Sequence, residues 1–281
     1  MAPAPPVVLS IAGFDPSSGA GVTADVKTIA AHGCYGVSCI TALTVQSTAG
    51  VRRVQTVNPA LVSETLEELN SDIAIAAVHI GMLGSGKVVQ VVVDFLAKTG
   101  LPNIVLDPIL KSSSGADLID SGGARLLIQL LLPLATVVTP NLEEAAALTG
   151  LQVGNLDQMR VAATKLHAMG AANVVVTGGD LEKAIDLLSF DNRRGVQQEV
   201  FKSDRQQSNS THGTGCAFAT AMACHLARGR GLPEAVLLAK AYVSAAIANA
   251  HFVGQGTGPV HHLYRMHQQR RVVINDPETV Y

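Results

Sequence analysis

Five short apolar runs in the first two thirds of the chain place the strongest constraint on its fold. Each run ends in a polar or glycine-containing loop, and segments with helical periodicity lie between them. Strands that alternate with helices at this spacing indicate βαβ units and a mostly parallel sheet, so the sequence predicts an α/β fold. The runs are VVLSIA (7–12), AAVHI (76–80), NIVLD (103–107), ATVVT (135–139) and NVVVT (173–177).

The remaining segments fit into the same fold. AIDLLSF and VQQEVF are typical of a strand pair joined by the turn DNRRG, and two Ala-rich segments near the end are predicted helices. These helices cover Cys216–Arg228 and Pro233–Asn249. No internal repeat and no long Pro/Ser linker divides the chain. We therefore expect a single domain over residues 1–262 and a polar C-terminal tail over residues 263–281.

Composition excludes several classes of protein. Hydrophobic residues make up 48% of the 281 residues and charged residues 15%, which suits a compact α/β protein rather than a disordered chain. The net charge is −2 without a long basic run, so nucleic acid and an anionic membrane surface are not expected partners. Although the mean hydropathy is +0.30, the longest apolar stretches are interrupted at Asp94 and Pro133, short of the roughly 20 residues that span a bilayer.

The N-terminus and the cysteines indicate a compartment. MAPAPPVVLSIAGFD lacks the positive segment of a signal peptide. The four cysteines form no CxxC pair, so neither a metal-binding spacing nor a secreted disulfide framework is present. We therefore expect a cytoplasmic protein with reduced thiols.

Polar loops follow the predicted strands along the whole chain. Ligands of open parallel sheets bind outside the carboxyl ends of the strands, so we expect these loops to form one site. The glycine-rich turn SSGAG is weak support for phosphate binding by itself. No GxxxxGK[ST] or GxGxxG follows a strand, which excludes a P-loop ATPase and a dinucleotide-binding protein. The loops are IAGFDPSSGAG, TALTVQST, IGML, LDPI, VTPNLEE, VTGGD and THGTGC.

In the segment THGTGC (211–216), a glycine-rich turn leads directly into the start of a predicted helix. Gly213 and Gly215 let the backbone close on a phosphate, Thr214 adds a hydroxyl, and the helix N-terminus favours an anion. The field of the helix would also favour the thiolate of Cys216. From these residues alone, Cys216 is equally a chemical group or a small core residue.

Three oxygen-bearing residues follow two strands. Asp107 and Asn141 end apolar runs, and Glu144 follows one helical turn after Asn141. Such ligands suit Mg²⁺, which takes few protein carboxylates and keeps several waters. The pattern PNLEE is also a capping box, with Asn141 as N-cap and Glu144 at the third helical position. Both interpretations can hold together.

Two further polar residues lie beside these loops. Asp25, near a predicted helix start, could bind a hydroxyl or ring amine, or merely complement the helix dipole. Gln46 could offer a donor and an acceptor to a heteroaromatic ring, or be a solvated loop residue.

The motifs IAGFDPSSGAGVTADVKT, ALTVQST, IGML, VLDP, VTPNLEEA, THGTGC and GTGPVHH, in this order, resemble the hydroxymethylpyrimidine/phosphomethylpyrimidine kinases of thiamin biosynthesis. The resemblance runs from about Val7 to His262. It implies the ribokinase-like fold, a three-layer α/β/α sandwich with a mostly parallel central sheet. It also implies a homodimer that uses ATP and Mg²⁺ to phosphorylate 4-amino-5-hydroxymethyl-2-methylpyrimidine and then its monophosphate.

The resemblance assigns roles to individual residues. It implies that the pyrimidine is bound by Gly13, Asp25, Gln46 and Met82; that the nucleotide is bound by Asn141, Thr177, Gly179 and Gly256; that the metal is bound by Asp107 and Glu144; and that catalysis uses Gly213, Thr214, Gly215 and Cys216. Cys216 stands where sugar kinases of this superfamily carry an aspartate base, which favours a chemical role and a near-neutral thiolate. Whether the thiol is the base or positions the substrate stays open.

Departures from the family pattern concern cations. Thr177, Gln255 and His79 stand where some relatives have lysine. We expect phosphate charge to be balanced mainly by Mg²⁺ and backbone donors, and His79 to be packed on the sheet.

Three alternatives remain. A pyridoxal kinase is the nearest, because some of these enzymes share the HGxGC turn; Gln46, which can pair with the amino and ring-nitrogen edge of a pyrimidine, favours the pyrimidine. A non-catalytic sensor is disfavoured by the retained acidic and glycine residues. A sugar kinase is disfavoured because residue 216 is not an aspartate.

Overall fold

The computed structural model describes residues 3–112, 115–179, 181–192, 195–206 and 208–266. The strands are β1 (Val7–Phe14), β2 (Tyr35–Ser47), β3 (Gly50–Thr56), β4 (Ile75–Ile80), β5 (Ile104–Leu106), β6 (Val137–Val138), β7 (Val174–Gly178), β8 (Ala184–Asp191) and β9 (Val196–Ser203). In the described residues they form one sheet in the order β3-β2-β1-β4-β5-β6-β7-β8-β9. Six strands that are neighbours in the sheet are parallel to one another, namely β2, β1, β4, β5, β6 and β7. At the two sides of the sheet, β3 pairs antiparallel with β2, β8 with β7, and β9 with β8.

Helices cover both faces of this sheet. They are α1 (Gly21–Ala31), α2 (Pro59–Asp72), α3 (Gly86–Thr99), α4 (Ser121–Leu126), α5 (Leu142–Thr149), α6 (Leu156–Ala168), α7 (Thr214–Ala227) and α8 (Leu232–Ala248). A π-helical turn (Leu127–Leu131) and a 3₁₀ turn (Leu132–Leu134) continue α4, and Pro133 lies in the second of these.

Alternate residues of the central strands face two separate cores. On β1, Val8 packs with α1, α7 and α8, whereas Leu9 packs with the helices of the other face. On β5, Val105 lies in the same core as Val8, and Leu106 lies in the same core as Leu9. Successive side chains of a strand point to opposite faces, so a strand buried on both sides is a continuous apolar run. This confirms the predicted three-layer α/β/α architecture.

Helix α7 lies at the centre of one layer. Every residue from Cys216 to Leu226 is buried, and most of them are small. Small side chains allow the helix to contact the sheet, α1 and α8 closely. A larger residue in such a packed helix costs about 1–3 kcal/mol. The start of α7, with Cys216, is therefore held rigidly against the sheet edge.

The start of the predicted tail belongs to the folded body. Tyr264 is buried in the core beneath α8, and the guanidinium of Arg265 lies 5.2 Å from the ring centre of Tyr242. The rest of the predicted tail, residues 267–281, lies outside the described residues. In the described part of the chain, no helix combines the length and the apolar character needed to cross a membrane.

Candidate active site

A cavity of about 330 Å³ opens where the parallel strands end. Residues at or just after the ends of the strands line it, among them Gly13, Asp107, Thr139 and Thr177. The loops that precede α1 and α7 close its other side. This is the edge at which open parallel sheets bind ligands.

Most of the predicted site residues meet in this cavity. Those that line it are Gly13, Gln46, Met82, Asp107, Asn141, Glu144, Thr177, Gly213, Thr214, Gly215 and Cys216. Asp25, Gly179 and Gly256 are absent from its lining.

Asp25 lies beneath the cavity rather than in its wall. Its carboxylate is fully buried and accepts hydrogen bonds from Ser10 Oγ (2.6 Å) and Thr220 Oγ1 (2.9 Å). His79 Nδ1 lies 3.1 Å from the same carboxylate. The expectation that Asp25 contacts substrate does not agree with this position, because its oxygens are occupied by other side chains.

His79 is a packed strand residue, as the sequence predicts. Burial by itself would lower its pKa, but the adjacent Asp25 carboxylate outweighs burial and raises it. This buried contact joins β4 to α1 beneath the cavity.

The two predicted nucleotide glycines lie apart from the main cavity. Gly179 is exposed and no atom lies near the position of a Cβ. Gly256 lines a second, neighbouring cavity with Phe252, and Thr257 borders both cavities. The N–H of Gly256 donates to Thr48 Oγ1 at 3.2 Å, and a Cβ there would overlap the Thr48 carbonyl.

The start of α7 presents free backbone donors. Gly213 has a φ of +81°, and a Cβ on it would overlap the Gly19 carbonyl oxygen. This left-handed conformation and close approach require glycine. Within the described residues, the N–H groups of Gly215 and Cys216 have no acceptor. Free N–H groups at a helix start are suited to binding an anion.

Cys216 does not behave as the helix field predicts. Burial raises the pKa of its thiol well above the ordinary value, and the charge of Asp107 raises it further. A hydrogen bond from the Gly21 N–H, at the start of α1, opposes this without overcoming it. The expected near-neutral thiolate does not agree with this direction, because burial and the neighbouring acids raise the pKa of the thiol.

Asp107 and Glu144 are buried acids on one wall. Burial raises the pKa of Asp107 to about 7, and burial followed by the Asp107 charge raises that of Glu144 well above its usual range. Asn141 Oδ1 accepts from the Glu144 N–H (2.8 Å), and Glu144 Oε2 accepts from the Asn141 N–H (2.9 Å). The predicted capping box is present, and it fixes Glu144 beside the cavity.

The opposite wall carries Gln46 and Met82. Gln46, on β2, is half-buried, and Met82 is buried. A Cβ on Gly13 would lie 2.8 Å from the Met82 sulfur, so the glycine leaves room for the thioether. A polar amide beside an apolar surface is suited to a flat heteroaromatic ring.

Sequence reasoning missed Asp15, His212 and Lys111, all of which line the cavity. Asp15 accepts hydrogen bonds from the backbone N–H of Ser17 (2.8 Å) and Ala20 (3.0 Å), and His212 Nε2 lies 2.9 Å away. Burial would raise the pKa of Asp15, but hydrogen bonds from His212, Ser17 and Ala20 lower it. The aspartate preceding SSGAG was the available signal.

Fold and site together define a phosphotransferase of the ribokinase-like class. A family model described as phosphomethylpyrimidine kinase matches residues 15–261. The chain is 40% identical to the hydroxymethylpyrimidine/phosphomethylpyrimidine kinase of Haemophilus influenzae, covering 91% of this chain and 96% of that one. The chain belongs to the phosphomethylpyrimidine kinase family.

Two other similarities add context. The chain is 43% identical to the thiamine biosynthesis bifunctional protein ThiED of Geobacter sulfurreducens; this covers 91% of the chain but spans only 52% of that relative's length. The crystal structure of an ADP complex of Bacillus subtilis pyridoxal kinase matches with a TM-score of 0.84 and 34% identity, covering 94% of this chain and 100% of that one.

Proposed function

We propose that this kinase transfers a phosphoryl group from ATP to the hydroxymethyl group of 4-amino-5-hydroxymethyl-2-methylpyrimidine, and then to the resulting monophosphate. The observation that carries the proposal is the presence of Gln46 and Cys216 in the wall of the same cavity, next to the free N–H groups of α7. A ring bound at Gln46 has the size to place its alcohol near Cys216.

Backbone donors supply much of the chemistry in this proposal. The N–H groups of Gly215 and Cys216 stabilise negative charge that develops on the transferring phosphoryl group. The Cys216 thiol contacts the hydroxymethyl oxygen and orients it. Gly213 and Thr214 hold the turn in place, and Thr214 Oγ1 donates to the Thr211 carbonyl.

Asp107 and Glu144 fit a magnesium ion. Burial raises the pKa of both carboxyls, and the Asp107 charge raises that of Glu144 further, so a divalent cation bound between them would relieve this cost. The described residues include no group of three or more His, Cys, Asp or Glu side chains placed to hold a metal. A magnesium ion held by Asp107 and Glu144 would take its other ligands from water and phosphate oxygens. When bound, Mg²⁺ would neutralise charge on the phosphates.

The nucleotide lies, in this proposal, between the two cavities. Asn141 and Thr177 form an isolated bridge and line the main cavity, whereas Gly256 lines the second one. The ADP complex of the B. subtilis relative supports an adenine nucleotide as donor. Thr177 and Gln255 stand where some relatives have lysine. Lys111, in the lining of the main cavity, would supply the positive charge instead. It would also contact the phosphate of the monophosphate substrate.

We extend the proposal to assembly and compartment. The exposed apolar residues Leu43 and Val45 on β2, next to the sheet edge, support a homodimer. We propose the cytoplasm as its compartment. The kinase domain extends past the predicted boundary at residue 262, because Tyr264 is buried in its core. Light scattering at several protein concentrations measures the assembly.

Pyridoxal is the second candidate substrate. The similarity to the B. subtilis pyridoxal kinase favours it, since pyridoxal carries the same hydroxymethyl group on a ring of similar size. An amide at Gln46 pairs better with an aminopyrimidine edge than with the pyridoxal ring.

ADP release with Mg·ATP, measured for the pyrimidine, its monophosphate and pyridoxal, tests the function. We expect turnover of both pyrimidines and a kcat/KM for them that falls about 100-fold in Gln46→Ala. Gln55→Ala, on the exposed face of β3, is the matched control and retains wild-type rates. Turnover of pyridoxal alone would contradict the pyrimidine assignment.

A further inference from the structure

The orientation of the Gln46 amide is set by its neighbours rather than by the ligand. In the structure, Gln46 Oε1 lies 3.2 Å from Thr44 Oγ1, and Gln46 Nε2 lies 3.3 Å from His212 Nε2. A half-turn of the amide about its last torsion exchanges oxygen and nitrogen without moving either neighbour. The count of hydrogens at those neighbours therefore decides between the two orientations.

The His212 side favours the amide oxygen. His212 Nε2 lies 2.9 Å from an Asp15 carboxylate oxygen, and an ionised carboxylate only accepts hydrogen bonds. Nε2 must therefore carry a hydrogen. An amide NH₂ at 3.3 Å would set two donors against each other, whereas an amide oxygen accepts from the same N–H.

The Thr44 side favours the amide nitrogen. Thr44 Oγ1 has a single hydrogen and lies 3.0 Å from the Phe14 carbonyl oxygen. If that hydrogen goes to Phe14, the hydroxyl can only accept from Gln46, and the NH₂ group supplies the donor. Only this orientation satisfies Thr44 and His212 together.

We propose that Thr44 and His212 are positioning residues that set the direction of the Gln46 amide. They hold its oxygen toward the loop at the start of α7 (residues 211–216, the anion loop) and its NH₂ group away from that loop. This inference rests on the proposed function. The hydroxymethyl group must reach the anion loop, which contains His212. The ring substituent next to the hydroxymethyl group then lies at the amide oxygen of Gln46. The ring atom after that substituent lies at the NH₂ group. The site thus selects a donor next to the hydroxymethyl group, followed by an acceptor.

An aminopyrimidine has this order, with the 4-amino group next to the hydroxymethyl carbon and N3 beyond it. The 4-oxo analogue, 5-hydroxymethyl-2-methylpyrimidin-4-one, has the reverse order, with an acceptor oxygen and an N3–H donor. If the amide turned freely, both compounds would bind. A held amide rejects the oxo compound, because a reversed pair leaves polar groups unmatched.

The test compares kcat/KM for the two compounds in wild type, Thr44→Val and Thr44→Ser. We expect wild type to prefer the amino compound by about 100-fold or more, and Thr44→Val to reduce this preference by about 3- to 10-fold by releasing the amide. Thr44→Ser, which keeps the hydroxyl, retains the preference. The KM for ATP stays at the wild-type value in both variants.

The same substitution in a Gln46→Ala background separates positioning from general damage. If Thr44 acts through Gln46, Thr44→Val changes nothing further there. An unchanged preference in Thr44→Val, or an equal effect with and without Gln46, overturns the inference while the function stands. If wild type turns over neither compound, both the function and the inference are wrong. Thr44→Ala replaces Thr44→Val should that variant not fold.

Discussion

His212 Nε2 and an Asp15 carboxylate oxygen lie 2.9 Å apart, although 197 residues separate them in the chain. Asp15 belongs to the loop before α1, and His212 to the loop before α7. Gly213 also packs directly on the carbonyl of Gly19. The two glycine-rich loops therefore form one structure around the carboxylate.

Asp15→Asn should disrupt that structure. The new NH₂ group would face N–H donors from the backbone or from His212. We expect the free energy of unfolding to fall by about 1–3 kcal/mol, and kcat/KM to fall with it. Urea unfolding and steady-state kinetics measure both, with the exposed Asp94→Asn as control. A variant as stable and active as wild type would show that the carboxylate is not needed.

Glu144→Gln should weaken magnesium binding while preserving the helix start. Glutamine at the third helical position still completes a capping box, so we expect little change in stability. Loss of one carboxylate should raise the Mg²⁺ concentration for half-maximal rate by about 10-fold. The exposed neighbour Glu143→Gln is the control. Equal Mg²⁺ requirements in both variants would remove Glu144 from the metal site.

Cys216→Ala should lower kcat by about 100-fold if the thiol contacts the reacting oxygen. Cys216→Ser keeps a donor and acceptor there and should lose less. Cys39→Ala, on β2 and buried in the core, should keep the wild-type kcat. Full activity and an unchanged pH–rate profile in Cys216→Ser would contradict a chemical role.

Buried histidines should make the fold sensitive to acid. Burial lowers the pKa of His32 and of His262 from 6.5 to about 4. The unfolded chain then binds more protons between pH 6.5 and 4, so the free energy of unfolding is highest above this range and falls as pH decreases. Each histidine accounts for at most about 3 kcal/mol of this loss.

Urea unfolding at pH 7, 6 and 5 measures this dependence. His262→Gln can still donate to the Gly19 carbonyl, which His262 Nε2 approaches at 3.2 Å, and should give a shallower dependence. The exposed His251→Gln should retain the wild-type slope. Identical slopes in all three proteins would show that His262 does not carry the effect.

The sequence predicts the fold well because its signal is local. Apolar runs such as NIVLD and NVVVT become central strands, and Asn141 with Glu144 forms the capping box that their spacing indicates. The same loops meet at one edge of the sheet because all central strands run in the same direction.

The errors arise where an effect depends on distant residues. The role of His212 requires Asp15, which no local pattern connects to it. The pKa of Cys216 is set by burial and by Asp107 rather than by its own helix. Asp25 has a plausible position near a helix start, but Ser10, His79 and Thr220 enclose it.

Both ends of the described chain are needed to build the loop before α1. Thr28 Oγ1 lies 3.2 Å from His262 Nδ1, and the Gly19 carbonyl oxygen lies 3.2 Å from Nε2 of the same ring. During synthesis, β1 to β9 emerge before α7, α8 and His262, so a nascent chain can pair its strands while the anion loop is still missing. Contacts this distant in sequence form slowly, and a nascent chain that lacks α7 exposes the apolar face that this helix later covers. This family member should acquire ligand binding only after residues 211–262 have been synthesised, when an aggregation-prone surface disappears in the same step.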